Sequence, residues 1–416
     1  MNLKDIIKGR ILIIAVDTLP LTLTEDAPEV FIYDGVEYNI KDKCCRATAL
    51  GIRIWQTANE IKKIISDELI ALNGKMAQTF NPSLSHKIIK ESITIFIPDI
   101  NYPGEQYIAN KEFIFKSYNY KESLYKFSTD IQKEIEQHDT IIIHMIGGIG
   151  FDNYWQMPND KILIYDGFEN QLISLPYALQ NYDEEYKRNT TAKYKFYYEK
   201  ILKRINYILY PNEPMKHYYE SQLYFNGNLG YNNFKESPLI KFPYLLENND
   251  LRTNRDIGYL YNNMEAKQKL LWYGASYNWY DTRKLIDLVA TMENIQLDFV
   301  AVKHPRYKNS WDAKLFENLP DNVKVIEEYQ DERWNIYKQY DAGILLTKGD
   351  IIDNYITSCR LYDMLSYGLP IITNETNPIF KEIEMEKERY NLKKVIVEDT
   401  IFNGTECKMK KLSVSW

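Results

Sequence analysis

The 416-residue sequence predicts an α/β protein made of two doubly wound domains. Three observations carry that prediction. Short apolar runs alternate with amphipathic helical stretches. The alternation occurs as two separate series. Between the series lies Leu246–Lys267 (LENNDLRTNRDIGYLYNNMEAK), a polar stretch with no sustained periodicity. Strand–helix alternation of this kind means a parallel sheet covered by helices on both faces. The expected organisation is therefore an N-terminal domain at 1–245, a linker at 246–267 and a C-terminal domain at 268–416.

The elements follow in order. Strands are expected at Arg10–Val16, Ile93–Pro98, Thr140–Met145, Ile162–Asp166 and Tyr207–Tyr210, each an apolar run rich in β-branched or aromatic residues. Leu50, Ile54, Ala58, Ile61 and Ile65 recur in steps of three and four, which makes one face of a helix over Arg46–Ile65. Tyr186–Ile205 reads as a second long helix. The second series has strands at Lys269–Tyr273, Leu297–Val302, Val323–Ile326, Ala342–Leu346 and Leu369–Thr373. Helices at Thr282–Met292, Glu332–Gln339, Arg360–Tyr367 and Pro378–Glu386 accompany them. The tail after Val397 is too irregular to assign.

Composition narrows the function. Hydrophobic residues make up 45% and charged residues 26%, values of an ordinary soluble protein with material for two cores. Lys plus Arg number 51 against 58 Asp plus Glu, a net charge of -7, which supplies no general basic face for phosphates and argues against a nucleic-acid partner. The N-terminal apolar run Ile11–Val16 ends at Asp17 and is too short for a signal peptide. No run approaches the roughly 18 apolar residues of a membrane span. A cytoplasmic protein is expected. Cys44, Cys45, Cys359 and Cys407 form neither a zinc spacing nor a CxxC pair, and read as reduced thiols packed like small apolar residues. The 35 Tyr and 16 Phe suit sugar rings, but they also fill cores.

Open parallel sheets bind ligands at the carboxyl ends of their strands. Two Rossmann-like domains facing across a cleft would place a site in that cleft, so the residues just after strands are the ones to read. In the second half these are KLLWYGASYNWYD (Lys269–Asp281), YDAGILLTKGD (Tyr340–Asp350) and LYDMLSYGLPIITN (Leu361–Asn374). The helix in the last segment stops at Gly368, which accepts a left-handed cap.

This succession resembles the C-terminal half of nucleotide-sugar-dependent glycosyltransferases of the GT-B fold, above all the large retaining family of bacterial polysaccharide glycosyltransferases. The likeness covers Lys269–Thr373 well and is fainter in the first half, where NYILYPNE (Asn206–Glu213) and KFPYLLEN (Lys241–Asn248) hold corresponding places. The family motif is K/R-x-x-E-x-x-x-x-G-x-P. Arg360 takes its basic position, Asp363 its acidic position, and Gly368 and Pro370 its end. The chain departs from the motif in two ways. Asp363 is one methylene shorter than Glu, and Tyr355 stands where a first glutamate belongs, with Asp350 and Asp353 nearby.

The resemblance implies a nucleoside-diphosphate sugar as donor and a glycan or lipid-linked glycan as acceptor, with no resident cofactor. A lipid-linked acceptor is compatible with peripheral contact at the inner face of the membrane. Chemistry agrees with the donor assignment. A carboxylate accepts ribose hydroxyls, and a forked guanidinium or a helix N-terminus suits a diphosphate. Arg360 and Asp363, three apart on a helix, share a face. The alternative is a surface ion pair. Arg306 (in AVKHPRY) and Lys348 follow strands and are further phosphate candidates or solvated charges. Gly274 lets the backbone approach the diphosphate. Tyr329 is either a base contact or packing.

In the first half, His144 ends a strand and precedes the glycine-rich Gly147-Gly148-Ile149-Gly150. In the resembling family a His after the corresponding strand contacts the donor sugar. A buried structural His is the other reading. Asp17 directly follows the first strand and is placed either to take a proton from an acceptor hydroxyl or to cap the next turn. Asp166, Gly167 and Glu169 follow another strand and are candidates for the acceptor side. His86, His138, His217 and His304 sit in polar or helical surroundings and read as solvated. The chain contains no Asp-x-Asp, no HExxH and no GxSxG. A metal-independent transferase is therefore expected. A sugar-nucleotide epimerase of the same architecture, and a non-catalytic binding or scaffold subunit, stay open.

Overall fold

The computed structural model describes residues 2–17, 19–33, 36–39, 49–75, 82–99, 102–110, 112–120, 129–144, 157–168, 171–180, 182–226, 237–246, 267–274, 276, 279–300, 313–326, 336–349, 355, 358–400, 402 and 408–415. The chain divides into two units. One comprises Met1–Pro176 and Tyr182–Pro243, and the other Tyr177–Asn181 and Tyr244–Trp416. Residues 247–266, the core of the expected linker, lie outside the described residues. Each unit holds one seven-stranded sheet. The architecture is two Rossmann-like units, as the strand–helix alternation predicts.

In the first unit the apolar runs become β1 (Ile11–Ile14), β4 (Ile93–Pro98), β6 (Thr140–His144), β7 (Ile162–Asp166) and β8 (Tyr207–Tyr210). A hairpin of β2 (Val30–Tyr33) and β3 (Val36–Asn39) stands outside this sheet. The hairpin escapes a reading of the sequence, and so do two strands of the sheet: β5 (Ile114–Tyr118), an edge strand interrupted by Lys116 and Ser117, and the three-residue β9 (Leu239–Lys241). Every residue of β1, β4 and β6 is buried, because helices cover both faces. The strand order is β5-β4-β1-β6-β7-β8-β9, all parallel. The sequence runs outward from β1 in one direction, then returns to β6 on its other side. The order therefore reverses between β1 and β6.

The second unit repeats the pattern. Its strands are β10 (Gln268–Tyr273), β11 (Ile295–Val300), β12 (Val323–Ile326), β13 (Ala342–Leu345) and β14 (Ile371–Asn374), followed by β15 (Lys394–Asp399) and β16 (Met409–Ser415). The order is β12-β11-β10-β13-β14-β16-β15, reversing between β10 and β13. The first five strands are parallel. The tail that had no legible periodicity forms β15 and β16, which pair antiparallel and extend the sheet beyond β14. Their mixed polar and apolar pattern (KVIVED, MKKLSVS) suits strands half-open to water.

Local signals set the helix limits. Asp183 accepts a hydrogen bond from the Tyr186 amide and starts Glu184–Arg204. Asn212 does the same for Met215 at Glu213–Phe225. The Cys359–Ser366 helix stops before Gly368 at φ +71°, where the Gly368 and Leu369 amides close back on Leu365 and Met364. Its buried residues Leu361, Tyr362, Met364 and Leu365 join the core of the second unit. Among the described residues no helix is long and apolar enough to cross a membrane.

Candidate functional site

Ligands of open parallel sheets sit outside the carboxyl ends of the strands where the order reverses. Each unit has one such point, and candidate residues stand at both.

In the first unit the reversal lies between β1 and β6. Asp17, 6% exposed, follows β1, and His144 is the last residue of β6. On the next strand Asp166 is the register partner of His144. The sequence reading missed the residue that organises this end. Arg53, on the Ala49–Lys75 helix, is completely buried. Its Nε donates to Asp166 Oδ2 at 2.9 Å and its Nη2 to Asp166 Oδ1 at 3.1 Å, a forked pairing. Its Nη2 and Nη1 also donate to the carbonyls of Phe242 (2.6 Å) and Pro243 (2.8 Å). The guanidinium lies 4.2 Å from the centroid of the Phe242 ring. Thr57, one helical turn after Arg53, adds a hydroxyl to Asp166 Oδ2 at 3.3 Å.

This network decides the charge of Asp166. Burial alone would raise its pKa. Arg53 and then His144 outweigh burial and hold the carboxyl at about 2. Asp166 is thus a fixed anion. His144 Nε2 lies 3.3 Å from its Oδ2, beside the carboxylate but off the line of a directional hydrogen bond. His144 Nδ1 has no hydrogen-bond partner among the described residues. An imidazole oriented by an anion on one side, with its other nitrogen unclaimed, is equipped to meet a polar ligand group. The signal for Arg53 was faint: Arg53 and Thr57, four apart, border the apolar stripe at Ile54 and Ala58.

In the second unit the reversal lies between β10 and β13. Gly274 follows β10 at φ +100°, and a Cβ there would stand 3.4 Å from the Arg360 guanidinium. The Arg360 Cζ lies 4.8 Å from the Tyr280 centroid and 5.7 Å from that of Trp272. The structure thus brings Gly274 and Arg360 together. In the same turn the Ser276 hydroxyl is buried with no hydrogen-bond partner among the described residues. Across the reversal, Lys348 is exposed just past β13. Its segment is tied to the β10 side by a bridge between Tyr280 and Thr347. Asp363 is half-buried and accepts a hydrogen bond from the buried Tyr337 hydroxyl at 2.5 Å.

Arg306, Tyr329, Asp350, Asp353, Glu169, His304 and Gly147–Gly150 lie outside the described residues, as do Cys44, Cys45, Cys407 and the side chain of His86. Cys359 is buried and forms no disulfide among the described residues. Gly167 is a packing position: a Cβ would come within 2.5 Å of the Tyr219 ring, whose hydroxyl donates to the Gly167 carbonyl. His138 is a correction. It is 4% exposed rather than solvated, its ring bonded to the Glu134 carbonyl and to Thr94 Oγ1. Burial pushes its pKa below the usual value against the pull of Glu134. Its partner Thr94 comes from β4, distant in sequence. Among the described residues no three His, Cys, Asp or Glu side chains gather as a metal site.

No protein-family model matches the chain, and no curated protein matches it. Solved structures resemble it at low identity. Sucrose-phosphate synthase from Thermosynechococcus elongatus is 12% identical, with a TM-score of 0.49 over 89% of this chain and 82% of its own. Anabaena HepE in complex with UDP and glucose is 11% identical, with a TM-score of 0.43 over 71% of this chain and 76% of its own. AviGT4, a glycosyltransferase involved in avilamycin A biosynthesis, is 10% identical, with a TM-score of 0.39 over 91% and 82%. Likeness at this level assigns no residue a role.

Proposed function

We propose that this chain is a glycosyltransferase. It moves a sugar from a nucleoside-diphosphate sugar to a glycan or lipid-linked glycan acceptor in bacterial surface polysaccharide assembly, without a metal. The observation that carries the reading is the strand-order reversal of the second unit. There the Arg360 guanidinium lies beside the positive-φ turn at Gly274, and the exposed Lys348 stands past the next strand. Two cations and an open backbone at a parallel-sheet switch point suit a diphosphate.

In this reading the bond from the anomeric carbon to the diphosphate oxygen breaks, and its electron pair leaves with the nucleoside diphosphate. Arg360 and Lys348 offset the charge that grows on the departing oxygens, and the unclaimed Ser276 hydroxyl adds a donor. Asp363 accepts from the ribose. Arg306 and Tyr329 belong to the same donor-binding set. The acceptor oxygen bonds to the anomeric carbon, and its proton passes to the Asp17 carboxylate. His144, oriented by Asp166, holds a sugar hydroxyl.

Tyr355 in place of the first glutamate favours a second reading, a non-catalytic sugar-nucleotide-binding subunit. One experiment separates them. The chain is screened for thermal stabilisation by UDP, GDP, ADP, CDP and TDP, then incubated with the matching nucleotide sugars without acceptor. Stabilisation with slow release of the diphosphate supports the transferase. Stabilisation without release supports the binding subunit, and a changed sugar without net release supports an epimerase. No stabilisation by any of the five refutes the donor site. Arg360→Ala is expected to weaken binding by about 1.5–3 kcal/mol, the size of a hydrogen bond to a charged group.

A further inference from the structure

We infer that Asn374 is a positioning residue for Lys348, fixing the backbone from which that ammonium reaches the donor's diphosphate; the inference rests on the donor reading of this site. Asn374 is the last residue of β14, next to β13 in the sheet. Its Oδ1 accepts from the Thr347 amide at 3.0 Å and from the Thr347 hydroxyl at 2.9 Å. Its Nδ2 donates to the Thr347 carbonyl at 3.2 Å. One side-chain amide therefore engages the amide, the hydroxyl and the carbonyl of the residue before Lys348.

The consequence lies in the peptide that joins Thr347 to Lys348. Its carbonyl is held by Asn374 Nδ2. Its N–H, the Lys348 amide, donates to the Trp279 carbonyl at 3.1 Å. A planar peptide gripped at both poles, from opposite sides, cannot rotate. The Asp281 amide adds a bond to the Leu346 carbonyl one residue earlier. Asn374 is itself immobilised, because β14 pairs with β16 and Asn374 is the register partner of Met409. The next residue on the other side, Gly349, has φ +72°, and a Cβ there would meet nothing within 4 Å. Lys348 is thus an exposed cation on a rigid base at the edge of open space. No ion pair holds its ammonium among the described residues. The chemistry explains why the clamp is an amide. Asp would keep the two accepted bonds and lose the donated one, and Leu would lose all three. Rigid placement matters for a charge that must meet a phosphate, because a preorganised donor loses little on binding.

The test is a double-mutant cycle read by calorimetry, using UDP or, if UDP does not stabilise the chain, whichever of GDP, ADP, CDP and TDP does. Lys348→Met should weaken binding about tenfold or more, as expected for losing a charge-assisted contact. Asn374→Ala should weaken it about fivefold, part of that same contact. The pair Lys348→Met with Asn374→Ala should bind no worse than Lys348→Met alone, since Asn374 acts through Lys348. Melting curves without nucleotide establish that each variant is folded at the temperature of measurement. Unchanged affinity in Asn374→Ala overturns the inference. So does an Asn374→Ala loss that persists in the Lys348→Met background, because a general structural role predicts it. If the unaltered chain binds none of the five nucleotides, the donor reading itself falls, and this inference with it.

Discussion

Replacing Arg53 by Met tests the buried network of the first unit most directly. Met keeps the length and apolar bulk of the stem and removes the charged fork. Four hydrogen bonds go with it: two to Asp166 and two to the carbonyls of Phe242 and Pro243. Asp166 is left as a buried anion facing, among the described residues, Thr57 and His144. Removing one partner of a buried ion pair costs about 3–5 kcal/mol, and that is the expected loss at pH 7. The pH dependence carries a second signature. With Arg53 present, the Asp166 carboxyl sits at about 2 against an ordinary 3.8. That depression contributes roughly 2–3 kcal/mol, fully present above about pH 4 and lost as pH falls through about 2. Without Arg53, burial, the largest influence on this carboxyl, is opposed by His144 without the guanidinium, and Asp166 is expected to rise. The sign then reverses, and the variant loses stability as pH rises above the unfolded value. The cost of the substitution should therefore be smaller at pH 4 than at pH 7. Calorimetric melting of the full chain at both pH values measures it, read on the transition that Asp166→Asn also shifts, since two units need not melt together. The Arg53→Met and Asp166→Asn changes combined should cost less than the sum of the two. A loss below about 1 kcal/mol at pH 7 would refute the reasoning, because the network would then contribute less than one ordinary hydrogen bond. Equal cost at both pH values would refute it too.

Gly274→Ala should destabilise the second unit by about 1–3 kcal/mol, the cost of a side chain in a left-handed conformation. Thermal melting measures it; an unchanged melting temperature would mean that the turn relaxes. Gly167→Ala would drive a Cβ into the ring of Tyr219, which has no exposed surface to move toward, and should cost about 1–3 kcal/mol in unfolding experiments. The proposed roles of Arg360 and Lys348 at the leaving diphosphate predict that transfer continues in EDTA; activity lost in EDTA and restored by manganese or magnesium would overturn them.

The strands at Ile93–Pro98, Ile162–Asp166 and Tyr207–Tyr210 were legible because a strand covered on both faces must be a nearly continuous apolar run. The stop at Gly368 was legible because few residues tolerate its φ of +71°. Arg360 stood out because its spacing to Gly368 and Pro370 matches the resembling family's motif, a pattern contained in eleven consecutive residues. The edge strands β5 and β15, and β16 beside β15, were not legible, since half-open strands carry polar residues that blur the pattern. Arg53, Asn374 and His138 were hidden for a deeper reason. A single Arg on a helix reads as solvated until Asp166, 113 residues away, is brought to it. An Asn at a strand end reads as a turn residue until Thr347 arrives 27 residues from it on the neighbouring strand. His138 reads as exposed until Thr94, on β4, meets its ring. Local sequence determines which segments bury their own apolar faces. Whether a polar or charged side chain can be buried depends on a partner, and in this protein strand order, set by tertiary packing, delivers the partner.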